Sequence, residues 1–286
     1  MAKNYRSQLV GVFGCPVDEN PTGVMEEAAF AKMGLDYRYL TIKVEKDDLE
    51  AAMRAVRAFG MKGINLTIPH KVKVLSYLDE LSEAAKIIGA VNTVVNRDGK
   101  LFGENTDGKG FLTALKNEGT EVKNKKIVML GAGGAARAIG VECALAGALE
   151  ITVVNRNEER GAELAGLIET KTDTAGRFVK WEGSYPVPED TDILINATCV
   201  GLYPNVSDKP EINYDTIKPG MTVSDVVFND PNTRFLQEAG QRGAKTVNGL
   251  GMLAQQGALN FTLWTGADAP VEVMEDTLKQ EFGLSK

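Results

Sequence analysis

Apolar residues recur along this chain in two rhythms: short unbroken runs, and longer stretches spaced by three or four. In the first third, the runs at 8–14, 37–44, 63–68, 91–95 and 100–103 predict strands. Between them, 24–33, a segment capped by Asp47 or Asp48 and reaching Phe59, and 71–88 carry helical spacing. Helix and strand alternating in this way imply an α/β domain of its own. A linking helix is expected over 107–117. Beyond it, strands at 127–130, 151–154, 193–195, 222–227 and 245–247 alternate with helices at 138–146, 160–169 and 233–242, the pattern of a doubly wound sheet. Residues 251–265 and 271–282 read as helices that follow the last sheet strand and cross back onto the first lobe. The expectation is a two-lobed α/β chain. One lobe is 1–106 completed by 251–286 and the other is 107–250, with a cleft between them.

Composition narrows the classes of function. The chain has 286 residues, of which 43% are hydrophobic and 25% charged, an ordinary globular balance. Its net charge of −7 argues against nucleic acid or an anionic membrane as the main partner. No apolar run approaches spanning length, and Met1-Ala2-Lys3-Asn4-Tyr5-Arg6 lacks the apolar core of a leader, so a cytoplasmic protein is expected. Cys15, Cys143 and Cys199 have no metal spacing and read as buried small hydrophobes in a reducing compartment. His70 is the single imidazole, which excludes a histidine metal site, and no metal is expected.

The strand at 127–130 runs straight into Gly131-Ala132-Gly133-Gly134-Ala135-Ala136 and then into a small-residue helix. This strand–turn–helix–strand order carries G-x-G-x-x-A. Gly131 permits the tight turn, Gly133 lets a pyrophosphate approach the backbone, and Ala136 lets the helix pack on the strand. The free amides at the helix start then face phosphate. The second lobe is therefore read as a Rossmann-type dinucleotide-binding domain. The next strand ends in Asn155-Arg156-Asn157, with Arg160 one turn on. An Arg fork at this place suits the 2′-phosphate of NADP, whereas a carboxylate there suits NAD. Glu158 and Glu159 oppose that reading, so NADP is favoured and NAD stays open.

In Asn65-Leu66-Thr67-Ile68-Pro69-His70-Lys71, a strand presents Asn65 and Thr67 to one side and hands over to a helix opened by Lys71. Asn92-Thr93 and Asn105-Thr106-Asp107-Gly108 form further polar clusters. Moving a hydride to or from a carbinol carbon requires a group that moves the hydroxyl proton. A Lys71–Asp107 pair is a candidate relay and carbonyl polariser.

These segments, with Gly89-Ala90-Val91-Asn92-Thr93, Asn196-Ala197-Thr198, Asn248-Gly249-Leu250-Gly251-Met252-Leu253 and Gln255-Gln256, resemble the shikimate/quinate dehydrogenase family over nearly the whole chain. The resemblance implies an NAD(P)-dependent alcohol dehydrogenase acting on a small cyclic polyol, monomeric or homodimeric, with Lys71 and Asp107 catalytic. It implies substrate contacts at Asn20, Thr22, Asn65, Thr67, Asn92, Phe228 and Gln256. Dinucleotide contacts are implied at Gly131, Gly133, Gly134, Ala135, Ala136, Asn155, Arg156, Arg160, Thr198, Val226, Gly249 and Met252. Two departures stand out. The family's Ser-x-Ser-Pro loop, whose hydroxyls hold the substrate carboxylate, is here Asn20-Pro21-Thr22-Gly23. The Tyr expected after the Asp-Val strand is Phe228. Both changes fall at the carboxylate end of the ligand. They leave two readings of the substrate open: retained shikimate activity, or a changed substrate such as quinate, an amino analogue, or a cyclitol or keto-polyol without the carboxylate. A non-catalytic dinucleotide or metabolite sensor is the alternative of another class, and the presence of both Lys71 and Asp107 argues against it.

Overall fold

Residues 5–284 are described in a computed structural model. Met1–Asn4, the larger part of the stretch read for a leader, lie outside the described residues, as do 285–286. The chain divides into two compact units, Met1–Thr106 with Gln256–Lys286, and Asp107–Gln255.

The first unit contains β1 (Gln8–Gly14), α1 (Thr22–Met33), β2 (Tyr37–Lys43), α2 (Leu49–Ala58), β3 (Gly63–Leu66) and α3 (His70–Lys73). These are followed by β4 (Glu80–Leu81), α4 (Glu83–Ile88), β5 (Thr93–Arg97) and β6 (Lys100–Glu104). Its sheet runs β2-β1-β3-β5-β6-β4, with β1 parallel to β2 and β3, and β5 antiparallel to β3 and β6. The apolar stripe Leu49, Met53 and Val56 lays α2 on Ile64, Leu66, Val94 and Leu101, all buried. Gly34, at φ 66°, closes α1 in the left-handed conformation that glycine adopts without Cβ strain.

The helix expected over 71–88 is broken. His70–Lys73 is α-helical, a 3₁₀ turn follows, Leu78 is extended, and α-helix resumes only at Glu83. The competing partners are tertiary. The Asp79 amide donates to the Leu101 carbonyl at 2.9 Å, while its carboxylate accepts from the Leu101 amide at 2.7 Å and from Arg57 at 2.9 Å. Ser82 then caps α4 by accepting from the Ala85 amide.

The second unit contains α5 (Asp107–Asn117), β7 (Lys126–Leu130), α6 (Gly134–Leu145), β8 (Glu150–Asn155), α7 (Glu158–Lys171) and β9 (Ala175–Lys180). It continues through β10 (Tyr185–Pro186), β11 (Ile193–Asn196), β12 (Ile212–Asn213), β13 (Thr222–Asp225), α8 (Arg234–Gln241) and β14 (Lys245–Val247). The sheet order β14-β13-β11-β7-β8-β9, parallel throughout, is the doubly wound order with its switch point at β7. Alternate side chains build two cores. Ile127, Met129, Ile151 and Ile193 face one layer, and Val128, Leu130, Val154 and Leu194 face the other. The chain then forms α9 (Gly249–Thr265) and α10 (Val271–Glu281), and the division between units falls within α9.

The cysteines depart from expectation. Only Cys143 is buried, and burial pushes its thiol up; Cys15 is half-buried and Cys199 exposed, both in loops that follow a strand. The Cys15 thiol donates to Glu45 at 3.2 Å, which raises its pKa. Among the described residues no helix is long and apolar enough to cross a membrane, and no cluster of three or more His, Cys, Asp or Glu could hold a metal ion.

Candidate active site and nucleotide loop

Buried amides and hydroxyls of the first unit meet at the end of its sheet. Asn65, in the last turnable stretch of β3, donates from Nδ2 to the Thr93 hydroxyl at 3.0 Å and to the Asn92 carbonyl at 3.2 Å. Thr93 and Thr106 both donate to Asn260 Oδ1, at 2.7 and 2.9 Å. Asn92 Nδ2 donates to the Thr106 hydroxyl at 3.0 Å, and Asn92 Oδ1 accepts from the Thr106 amide at 2.8 Å. Asn260 Nδ2 donates to Gln256 Oε1 at 3.1 Å. Asn65, Asn92, Thr93, Thr106, Gln256 and Asn260 are each under 9% exposed. A buried polar network so fully satisfied fixes its members' rotamers.

Each candidate proton-transfer group is tied to a member of that network through the backbone. The Lys71 carbonyl accepts from the Val91 amide at 2.8 Å, beside Asn92, and Asp107 follows Thr106 by one peptide bond. Lys71 lies in the first turn of α3 and Asp107 opens α5; both are half-buried. Thr67 lies just past β3, with its amide on the Phe13 carbonyl at 3.0 Å. His70 is fully buried, and its Nε2 lies 2.8 Å from the Val44 carbonyl, which makes it a core donor.

Asn20 and Thr22 form the loop into α1. The Asn20 side-chain oxygen accepts from the Thr22 amide at 3.0 Å, turning back on its own backbone. Thr22 is buried, and its hydroxyl donates to the Tyr39 phenol, whose own proton is used on Asn65. The phenol in turn donates to Asn65 Oδ1 at 2.8 Å. One turn along the same face of α1 sits Glu26, completely buried, with no hydrogen-bond partner for either carboxyl oxygen among the described residues. Burial pushes the Glu26 carboxyl well above the usual carboxylate range. Burial, and then Glu26, raise the Tyr39 phenol, against the Thr22 hydrogen bond.

In the second unit the loop after β7 is shaped by two glycines. Gly131 has φ 106°, and a Cβ there would stand 2.9 Å from the Thr198 methyl group and 3.0 Å from the Ala197 carbonyl oxygen. Gly133 caps α6, and a Cβ there, or on Gly134, would meet nothing within 4 Å. Ala135 follows in the first turn, and Ala136 is fully buried against the core. The open space lies before the unpaired amides of a helix start, and these residues fit a pyrophosphate. Thr198 is held by its hydroxyl on Asn196 Oδ1 at 2.6 Å, and Asn196 Nδ2 donates to Asp225 at 2.9 Å. Burial pushes Asp225 up to about 6, against hydrogen bonds from Thr233, Val227 and Asn196.

At the tip of β8, Asn155 is half-buried and donates to the Asn157 carbonyl at 2.8 Å, and Arg156 is exposed. The Asn157 side chain caps α7 through the Arg160 amide at 2.9 Å. The Val226 amide donates to the Asn196 carbonyl at 3.1 Å, and Val226 and Met252 pack on the core beside α6. Gly249 is crowded: a Cβ there would fall 2.4 Å from the Val227 carbonyl oxygen. Phe228 is half-buried in the loop after β13. Sequence reasoning missed Glu26, Tyr39, Asn260 and Trp181. For Glu26 and Asn260 a signal existed, a polar residue spaced by four from Thr22 and from Gln256 on an apolar helix.

Three family descriptions match the chain: a shikimate dehydrogenase substrate-binding domain over residues 12–94, shikimate/quinate 5-dehydrogenase over 113–202, and a shikimate 5′-dehydrogenase C-terminal domain over 249–279. A relative from Desulforamulus reducens, named shikimate dehydrogenase (NADP(+)), is 42% identical over 281 residues and 97% of each chain. Among solved structures, the 5-ketofructose reductase of Gluconobacter sp. strain CHM43 is similar at 45% identity and TM-score 0.94, covering 97% of this chain and 100% of that one. A shikimate dehydrogenase in complex with NADP+ is similar at 38% identity and TM-score 0.92, covering 99% and 98%.

Proposed function

Because the chain belongs to the shikimate/quinate dehydrogenase family, a family of oxidoreductases, we propose that it is an NADP-dependent reductase of a polyhydroxylated ketone that carries no carboxylate. The observation that carries the substrate class is the state of the loop before α1. Asn20 spends its oxygen on the Thr22 amide, and Thr22 spends its proton on Tyr39. Phe228 offers no hydroxyl. Of the three positions that would hold a carboxylate, Thr22 is committed elsewhere and Phe228 is apolar, and each lost hydrogen bond to a charged group costs about 1.5–3 kcal/mol. Likeness to a reductase of 5-ketofructose, a carbonyl sugar with hydroxyls and no carboxylate, supports the same class.

When bound, the nicotinamide supplies the hydride for the carbonyl carbon. The side chains of this chain manage the oxygen. Lys71 polarises the carbonyl and delivers the proton to the developing alkoxide, and Asp107 relays a replacement proton from solvent. In the reverse direction the lysine takes the hydroxyl proton. Such acid–base assistance contributes about 10²–10⁴ in rate. Asn65, Asn92 and Gln256 orient the substrate hydroxyls. The glycine loop cradles the pyrophosphate, and Arg156 takes the 2′-phosphate.

A second reading, shikimate itself, is favoured by the names of the curated relatives. Initial rates with NADPH on 5-ketofructose and 3-dehydroshikimate, and with NADP+ on shikimate and quinate, decide between them. The proposal expects the ketose to exceed dehydroshikimate in kcat/KM by at least roughly 10-fold, the loss of one such hydrogen bond. A preference for dehydroshikimate would overturn it. Phe228→Tyr combined with Asn20→Ser and Thr22→Ser should raise kcat/KM for shikimate roughly 10- to 150-fold for each restored hydrogen bond.

A further inference from the structure

β8 and β9 run parallel, and their last paired residues are Asn155 and Lys180. The next residue on each strand is therefore Arg156 on one and Trp181 on the other. The Arg156 guanidinium lies over the Trp181 ring, 5.5 Å from its centroid. Trp181 is a fixed surface. It is 7% exposed, its amide donates to the Asn155 carbonyl at 3.0 Å, and its indole Nε1 donates to the Glu211 carbonyl at 3.0 Å. Its ring belongs to the core with Val128, Leu130 and Val154.

We infer that Trp181 is a positioning residue for recognition of a 2′-phosphorylated adenosine, acting by holding Arg156. The inference rests on the NADP reading above. A guanidinium is a plane with two faces, and its N–H donors point outward along the edges. Holding the guanidinium over the indole keeps its outward N–H donors for a phosphate. It also removes rotamer freedom that an exposed arginine would otherwise lose on binding. The acidic residues near this tip have a cation of their own. Lys180 bridges Glu182 at 2.9 Å and also feels Glu158, so the carboxylate after Asn157 is partly answered on β9.

The test is direct binding by calorimetry of adenosine 2′,5′-bisphosphate and of 5′-AMP, neither of which carries a nicotinamide. The proteins are the wild type, Trp181→Leu, Trp181→Phe, Arg156→Ala and the Trp181→Leu/Arg156→Ala double variant. The wild type should prefer the bisphosphate. Trp181→Leu should weaken the bisphosphate by about 2- to 5-fold, the range of an exposed cation–π contact, and leave 5′-AMP unchanged. Trp181→Phe should recover most of the loss. In the Arg156→Ala background Trp181→Leu should have no further effect. In turnover, KM for NADPH should rise in Trp181→Leu with kcat unchanged. A bisphosphate affinity unchanged by Trp181→Leu, or a loss that adds to that of Arg156→Ala, overturns the inference alone. Equal binding of the two nucleotides by the wild type removes the NADP reading and the inference with it.

Discussion

Glu26→Gln should gain stability relative to the wild type as pH rises. Glu26 is completely buried and its carboxyl oxygens have no hydrogen-bond partner among the described residues, so burial holds the folded carboxyl protonated well above 4.5. The folded state keeps a proton that the unfolded chain releases. Below the unfolded carboxylate range both states are protonated and the native advantage is whole. As pH rises through that range, unfolding is favoured by about 1.4 kcal/mol per pH unit until the folded carboxyl itself ionises. Glutamine has the same shape and never ionises, so its stability lacks this slope. Its buried amide protons cost about 1–3 kcal/mol at every pH, which shifts the whole curve but not its slope. Asp225, raised to about 6, titrates identically in both proteins and cancels in the difference. The assay is urea unfolding at pH 5, 6 and 7, followed by Trp264 fluorescence in a Trp181→Phe background. Trp264 is buried in the first unit and its ring centroid is 6.2 Å from that of Tyr39. The variant should gain on the wild type as pH rises, by at most about 1.4 kcal/mol with each pH unit. A difference that stays constant from pH 5 to 7 refutes the reasoning.

Lys71→Ala should lower kcat by about 10²–10⁴ with the melting temperature and KM nearly unchanged; full turnover by this variant would remove the proposed proton transfer. Asn260→Ala removes the shared acceptor of Thr93 and Thr106, leaves both hydroxyls to Asn92 Oδ1 at 3.1 and 3.2 Å, and should cost about 0.5–1.5 kcal/mol for each hydrogen bond lost, seen as faster amide exchange in the first unit only. Gly131→Ala and Gly133→Ala should separate fold from ligand. The first forces a positive φ and a Cβ clash and should destabilise the protein by more than about 1 kcal/mol in urea. The second meets open space, so its stability should hold while calorimetric affinity for NADP falls by about 10-fold or more, because the added methyl group fills the pyrophosphate cradle.

The doubly wound unit was readable because its strands are buried on both faces and therefore appear as unbroken apolar runs. β7, the glycine loop, α6 and β8 followed from four apolar residues, a spacing of glycines and a run of small side chains. β9 did not. As an edge strand with Ala175-Gly176-Arg177 at its start, it pairs only with β8 and has no need of an apolar run. The break in the helix expected over 71–88 was equally hidden, since Asp79 finds its partners at Arg57 and Leu101, far away in sequence. The polar motifs were visible one at a time. That Asn65, Asn92 and Gln256 share one network depends on Asn260, a single amide in the apolar turn Ala258-Leu259-Asn260-Phe261. Arg156 and Trp181, 25 positions apart, become neighbours only through strand register.

The first unit is discontinuous in sequence, and that imposes a timetable on synthesis. Thr93 and Thr106 leave the ribosome well before the residue whose side chain accepts from both. With 154 positions between Thr106 and Asn260, elongation at about 5–20 residues per second leaves a wait of roughly 8–30 s. Asp107–Gln255 is complete within that interval and can fold while the earlier segment still lacks α10 and most of α9. A nascent chain should therefore acquire nucleotide affinity before it acquires a substrate pocket, and turnover should begin only after Asn260 and α10 have emerged.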